Sequence, residues 1–461
     1  MKHINPVCIL GKRPGLPERW HRRGSRSWEV GVLHGDNRSR RRGLAPFAMI
    51  CAAGVLAAAC QPSSGSGAGG TAAKHSHSPD TVQLSFTPAS GATGADPGKG
   101  ITVTASKGTI KSVTVTGDGL TGERAVTGTF NSSRTAWHTN WTLPVAETLT
   151  VTAVAADSRG HQVTQTSTVK TLDPPQTFTT HIFEGYKQQY GVGMPIMLTF
   201  SQPIKNRAAV ERSLSITTSK PVVGAWYWDN SQTLAFRPRD YWPAHTRVSF
   251  VGHLNGVKAA PGLYGMHTLI QQFSIGRSLI VVASAAKHHM KLYRDGKLIR
   301  RWPISTGRPG KDTPNGTYLT IEKGNPVLMK GPGYRIKVPW SVRFTWTGDY
   351  LHDAYWSVGQ QGIVNVSHGC VNMRPADAEF YYKMAVPGDP VTVTGSPKPG
   401  TWDNGWTQWF LSWPQILKGS ALHQAVMAGP NGSTFVEPAT VTASTATAPA
   451  GRPAPGNSRA G

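Results

Sequence analysis

Cysteine is scarce in this chain, with four residues in 461, and only Cys370 lies beyond residue 60. That scarcity excludes a disulfide framework, and without paired cysteines or a further ligand set it gives no zinc site. A thiol with no partner is either a small buried hydrophobe or a reagent. Acids are also few, 24 Asp and Glu against 48 Lys and Arg, for a formal charge of +24. Beyond residue 42 the bases form no tight run, and no helix-turn-helix, finger or RNP-like motif accompanies them, which argues against nucleic acid. Diffuse positive charge suits an anionic wall or membrane surface. Long apolar runs are missing as well: Leu44 to Ala59 is about sixteen residues of mostly small side chains, too short for a comfortable span.

What is abundant is Gly (51), Pro (34), Thr and Val, the composition of β modules joined by many turns. At the N-terminus, Arg38-Ser39-Arg40-Arg41-Arg42, the apolar run and a small-residue stretch follow the order of a secretion signal. Leu56-Ala57-Ala58-Ala59-Cys60 resembles a bacterial lipobox, with the leucine one position further upstream than usual. The expectation is a leader over 1–59, lipidation at Cys60, and attachment to the outer face of the cytoplasmic membrane. A flexible Ser/Gly/Ala tether over 60–79 follows, with His75 and His77 read as solvated.

Alternating runs such as Ile101-Thr102-Val103-Thr104 and Thr148-Leu149-Thr150-Val151 predict an antiparallel sandwich over 80–172, with Trp137 and Trp141 as packing residues. Similar runs predict a second Ig-like module over 173–275. Residues 276–396 form a third unit. In it Asp295-Gly296 signals a hairpin, 324–333 a flexible loop, and Pro375 to Met384 a helix begun by proline. Trp402, Trp406, Trp409 and Trp413 recur at helical spacing, predicting a stripe over 397–428 that packs onto the third unit; 429–461 is expected to be disordered.

The chemistry concentrates in Ser367-His368-Gly369-Cys370-Val371-Asn372. His352 and His368 offer imidazoles to the thiol, and an adjacent imidazolium would lower its pKa into the working range. Gly369 lets a substrate approach the backbone, and the amides of Gly369 and Cys370 are placed to donate to an oxyanion.

His352 followed by this hexapeptide resembles the signature of the L,D-transpeptidases of YkuD type. Two segments strengthen the likeness: Leu279-Ile280-Val281-Val282 leading to Leu292-Tyr293-Arg294-Asp295-Gly296, and Ser305-Thr306-Gly307-Arg308-Pro309-Gly310 followed by Thr313-Pro314-Asn315-Gly316-Thr317-Tyr318. The resemblance implies a mainly β protein in which two Ig-like sandwiches precede a β-sandwich catalytic domain with a short helix and a Trp-rich extension. It implies Cys370 as nucleophile, His352 as base, and His368 and Gly369 in the catalytic loop. Tyr334, Trp346, Ser367 and Asn372 would meet substrate. Peptidoglycan stem peptides would be donor and acceptor, carbapenem-type β-lactams covalent inhibitors, and no cofactor or metal is implied. Asp353 stands where relatives tend to carry a small residue. An L,D-carboxypeptidase of the same fold and an idle wall-binding scaffold are the alternatives.

Overall fold

A computed structural model describes residues 81–331 and 334–437; the leader, Cys60 and the tether lie outside them. The first module is two four-stranded sheets. One runs Gln83–Thr87, Thr102–Ser106, Ala136–Thr139, Gly128–Phe130; the other Ala92–Ala95, Gln162–Thr171, Thr148–Ala156, Thr109–Thr116. Period-two alternation puts Val103, Ile110, Trp137, Leu149 and Val151 into the core between them. Trp141 lies past the end of its strand and stacks on His253 of the next module, ring centroids 3.9 Å apart.

The second module differs from the sequence expectation in one decisive way. Its ten-stranded sheet is completed from the far end of the chain, where Ala425–Gly429 lies between Val222–Trp228 and Leu214–Thr218. Gly432–Val436 pairs beside it, so the stretch from 429 to 437 is a hairpin and not the start of a structureless tail; the rest of the tail lies outside the described residues. Alternation in so short a run, rich in Ala and Gly, carries no signal of its partners two hundred residues away.

The tryptophan stripe is also not one helix. Residues 402–407 are irregular, Gln408–Phe410 is a single 3-10 turn, and an α-helix begins only at Trp413. The tryptophans reach the second module instead of serving the third alone: Trp409 Nε1 donates to Gly193 O at 2.8 Å, and its ring packs on Tyr241 and under the Arg237 guanidinium. Buried Glu211 accepts from Trp228 Nε1, Ser420 Oγ and the amides of Ala421 and Leu422. One hydrophobic core therefore includes Ile280, Leu319, Trp406 and Val426 together with the second module's own residues.

The third unit has a five-stranded sheet, ordered Lys297–Pro303, His289–Arg294, Leu279–Ser284, Pro390–Thr394, Gly316–Leu319, and a four-stranded one, ordered Glu322–Gly324, Ser341–Arg343, Tyr350–Asp353, Val371–Met373. The expected Asp295-Gly296 turn has positive φ at both residues, as a type I′ hairpin needs. The helix spans Pro375–Met384. Residues 324–333 are a correction: Val327–Gly331 pairs with Tyr334–Val338 as a hairpin rather than forming a loose loop. Alternation across it sets Met329, Tyr334, Ile336 and Val338 on one face and leaves Lys330, Arg335 and Lys337 exposed on the other.

Candidate active site

The site is built where the strand Tyr350–Asp353 runs parallel to Val371–Met373, with His352 opposite Asn372. A backbone bracket holds the loop before the second strand. Ser305 and Asn372 exchange amide-to-carbonyl bonds (3.1 and 2.8 Å), the Ser367 amide donates to Thr306 O, and the Arg308 amide to Ser367 O. Buried Thr313 completes it, its hydroxyl donating to Gly369 O at 2.6 Å while accepting from the Gly307 amide. The Ser-Thr-Gly and Thr-Pro segments thus act as scaffold for the cysteine loop.

His352 and Cys370 open into the same cavity of about 410 Å³. The cysteine loop and Asn372 form one wall, with Trp356, Ser357 and Gln360 beside His352; the apolar face of the 327–338 hairpin, with Tyr334, forms another. His352 Nδ1 lies 2.7 Å from the carbonyl of Asp353. A carbonyl only accepts, so Nδ1 carries the proton and Nε2 keeps the lone pair. The backbone of Asp353, not its carboxylate, therefore orients the base. Burial pushes the His352 pKa down to about 4, against the smaller effect of that hydrogen bond, and the ring stacks near Trp356 with centroids 5.9 Å apart.

The sulfur is cradled by the turn before His352. Cys370 Sγ lies 3.8 Å from Gly348 O, and the Tyr350 amide donates to it. Burial, together with the Asp349 carboxylate, pushes the thiol up to about 12 despite that amide. The resting pair is consequently neutral thiol and neutral imidazole. The thiolate at neutral pH that an imidazolium neighbour would give is not what this environment favours.

Two sequence assignments change. The Gly369 amide is not free for an oxyanion, because it donates to Ser367 Oγ at 3.1 Å, while Ser367 Oγ donates to Cys370 O at 2.6 Å. Gly369 is required for shape: its φ is +132°, and a Cβ would stand 2.3 Å from Asp349 Oδ1. Trp346 is absent from the cavity wall; its ring meets Trp406 edge-on, 6.0 Å between centroids, because the turn that carries it faces the C-terminal extension.

The remaining candidates take the following positions. Ser367 is buried as a turn brace. Asn372 is buried, its Nδ2 donating to Ser357 Oγ at 2.9 Å. His368 is exposed on the rim, its ring 5.2 Å from Tyr334, and partial burial with the nearby Arg308 and Lys311 charges lowers its pKa. Sequence reasoning missed Trp356, Gln360, Met329 and Ile336. A Trp four residues after the base was the one available signal.

Residues 277–393 match the model of the L,D-transpeptidase catalytic domain, and 92–258 that of the bacterial Ig domain. L,D-transpeptidase 2 of Mycobacterium tuberculosis is 30% identical over 344 residues, covering 72% of this chain and 83% of the relative. L,D-transpeptidase 5 of the same species is 33% identical over 356 residues, covering 75% and 78%. A crystal structure of Mycobacterium tuberculosis L,D-transpeptidase 3 in complex with a faropenem-derived adduct is 30% identical, covers 46% of this chain and 97% of its own, and superposes with a TM-score of 0.39. With an Ig-like region, a β-sandwich catalytic unit and a cysteine and histidine sharing one cavity, the chain belongs to the L,D-transpeptidase family.

Proposed function

We propose that this chain is an exported peptidoglycan L,D-transpeptidase that forms 3→3 cross-links through a thioester on Cys370. The observation that carries the reading is the His352 ring, fixed by the Asp353 carbonyl with Nε2 free of that bond, in the cavity that also holds the thiol. His352 Nε2 takes the thiol proton as Sγ attacks the carbonyl of the third residue of a donor stem, a diamino acid of the meso-diaminopimelate type. The C–N bond to the terminal D-alanine breaks, and the imidazolium returns its proton to the leaving amine. The Cys370 amide and the Tyr334 hydroxyl donate to the oxyanion, a contribution of about 3 to 4 kcal/mol per donor. The side-chain amine of a second stem then attacks the thioester, the C–S bond breaks with its electron pair on Sγ, and the amine's protons go to the sulfur and to solvent.

Incubating the protein with a tetrapeptide stem, with and without an amine acceptor, tests this. A thioester on Cys370 and acceptor-dependent cross-linked product are expected. Tripeptide alone would make the protein an L,D-carboxypeptidase; no acylation of folded protein would leave a wall-binding scaffold. The same thiol is expected to open a carbapenem ring and retain it, visible as an intact-mass increase. Export and anchoring rest on the lipobox-like segment ending at Cys60. Mass spectrometry of the mature N-terminus is expected to find a diacylglyceryl cysteine at residue 60, and an unmodified start elsewhere refutes it.

A further inference from the structure

A transpeptidase of this kind must present one thioester to two substrates, and the second arrives as an ammonium that must lose a proton before it can attack. His352 lies in the donor cavity; across the cysteine loop stands a different titratable group, Asp349, which is not part of that cavity wall. Its position is close: Asp349 follows Gly348, whose carbonyl faces Sγ at 3.8 Å, and its Oδ1 presses on Gly369, the residue before the nucleophile. Oδ2 is held by Thr345 Oγ1 at 2.8 Å and Thr347 Oγ1 at 3.4 Å. Oδ1 has no hydrogen-bond partner among the described residues, and the side chain is half-buried rather than closed in. A carboxylate pinned by one oxygen, with the other packed against Gly369 and unpaired among the described residues, stands beside the reacting sulfur and suits a cation that comes and goes.

We propose that Asp349 receives the acceptor, its Oδ1 binding the incoming ammonium and taking its proton on the side of the Cys370 thioester away from His352. This rests on the transpeptidase reading above. The ammonium gives one proton to Asp349, and the freed lone pair forms the C–N bond. The C–S bond then breaks with its electron pair on Sγ, which takes the nitrogen's second proton as the tetrahedral intermediate collapses. Asp349 returns its proton to water. Burial raises the Asp349 carboxyl above its usual range, against Thr345, Lys398, Thr347 and Arg343, which makes it a better proton acceptor than a solvated aspartate. The arrangement also separates charges: Arg308 and Lys311 flank His368 on the rim, so an anionic donor and a cationic acceptor meet opposite signs.

The test uses the full exported chain and separates the two half-reactions. Acylation by a tetrapeptide is followed by intact mass without acceptor; partition of the thioester between aminolysis and hydrolysis is then measured against acceptor amine concentration, with methanol as a neutral acceptor. For Asp349→Asn the expected result is acylation no slower than in the parent, aminolysis relative to hydrolysis lowered by about 10²-fold, methanolysis unaffected, and partial recovery in Asp349→Glu. An unchanged amine partition overturns the proposal. Equal losses in acylation, aminolysis and methanolysis also overturn it, since they would mean that Asp349 only shapes the loop. If the parent protein is not acylated at all, the underlying transpeptidase reading fails first and this one with it.

Discussion

Acylation of Cys370 is expected to persist far into acid. His352 is held neutral by burial, its pKa displaced from 6.5 to about 4. That displacement corresponds to roughly 3 kcal/mol against the imidazolium. A base titrating near 4 is still about nine-tenths available at pH 5, whereas one near 6.5 would be only a few per cent available. The thiol, pushed up to about 12 by burial and the Asp349 carboxylate, is almost wholly protonated at pH 7. Iodoacetamide, which needs a pre-formed thiolate, should therefore label Cys370 about 10³-fold more slowly than free cysteine. A substrate-like acyl donor should react readily, because His352 removes the proton as the bond forms.

The assay is the second-order rate of carbapenem acylation from pH 4 to 9, by intact mass, alongside iodoacetamide labelling and absorbance near 240 nm. An acid limb near pH 6.5, or thiolate absorbance at neutral pH, would refute the neutral-pair argument. Stability is a poorer reporter. Between about pH 6.5 and 4 the unfolded state binds the His352 proton and the folded state does not, so this residue's contribution falls as pH falls. Buried Glu184, raised to about 8, works the other way: it costs stability as pH climbs from 4.5 toward 8, because the folded state resists ionising it. The two overlap in any melting curve, but only His352 touches the acylation rate.

Three further outcomes follow from the packing. Thr313→Val, which removes the hydroxyl between the Gly307 amide and Gly369 O, should slow acylation about tenfold with the melting temperature lowered by only a few degrees; rates equal to the parent's would show that the cysteine loop holds its shape without this tie. Glu211→Ala takes the acceptor from four donors, three of which (Trp228 Nε1, Ser420 Oγ and the Ala421 amide) have no other acceptor among the described residues while the Leu422 amide keeps Ser420 Oγ, and should cost about 3 to 5 kcal/mol in denaturant unfolding; a loss below about 1 kcal/mol would deny the clamp its role. Ending the chain before Ala425 should lower the melting temperature of the second module by more than about 10 °C, and a change of less than about 2 °C would deny that strand its place in the sheet.

Legibility followed sequence distance. The Asp295-Gly296 hairpin and the helix from Pro375 were readable because their signals are local: two residues able to take positive φ, and a proline at a first turn. Cys370 and His352 were readable because their chemistry is carried in a short motif, and the structure brings them into one cavity. The state of that pair was not readable. It depends on how much water the hairpin and Trp356 exclude, and exclusion is a property of the packed site. The orientation of Trp346 was not readable for a related reason: on an exposed turn an aromatic can face either side, and here its ring meets Trp406. The Gly369 amide was lost to Ser367 two residues away, a competition Ser commonly wins in tight turns.

The C-terminal extension binds these observations into one mechanical unit. Its hairpin completes the second module's sheet, and its Glu211-clamped segment follows the tryptophans that fill the seam with the catalytic unit. Just ahead of them, Asn404 Oδ1 accepts from the Thr347 amide at 2.9 Å, bracing the turn that carries Asp349 and faces Sγ with the Gly348 carbonyl. The second module is thus not separable from the C-terminal extension: without residues 425–429 its sheet lacks a central strand. Wall retention must be assayed with that segment included, since a fragment ending near residue 275 would expose unpaired strand edges and bind sacculi for reasons unrelated to recognition.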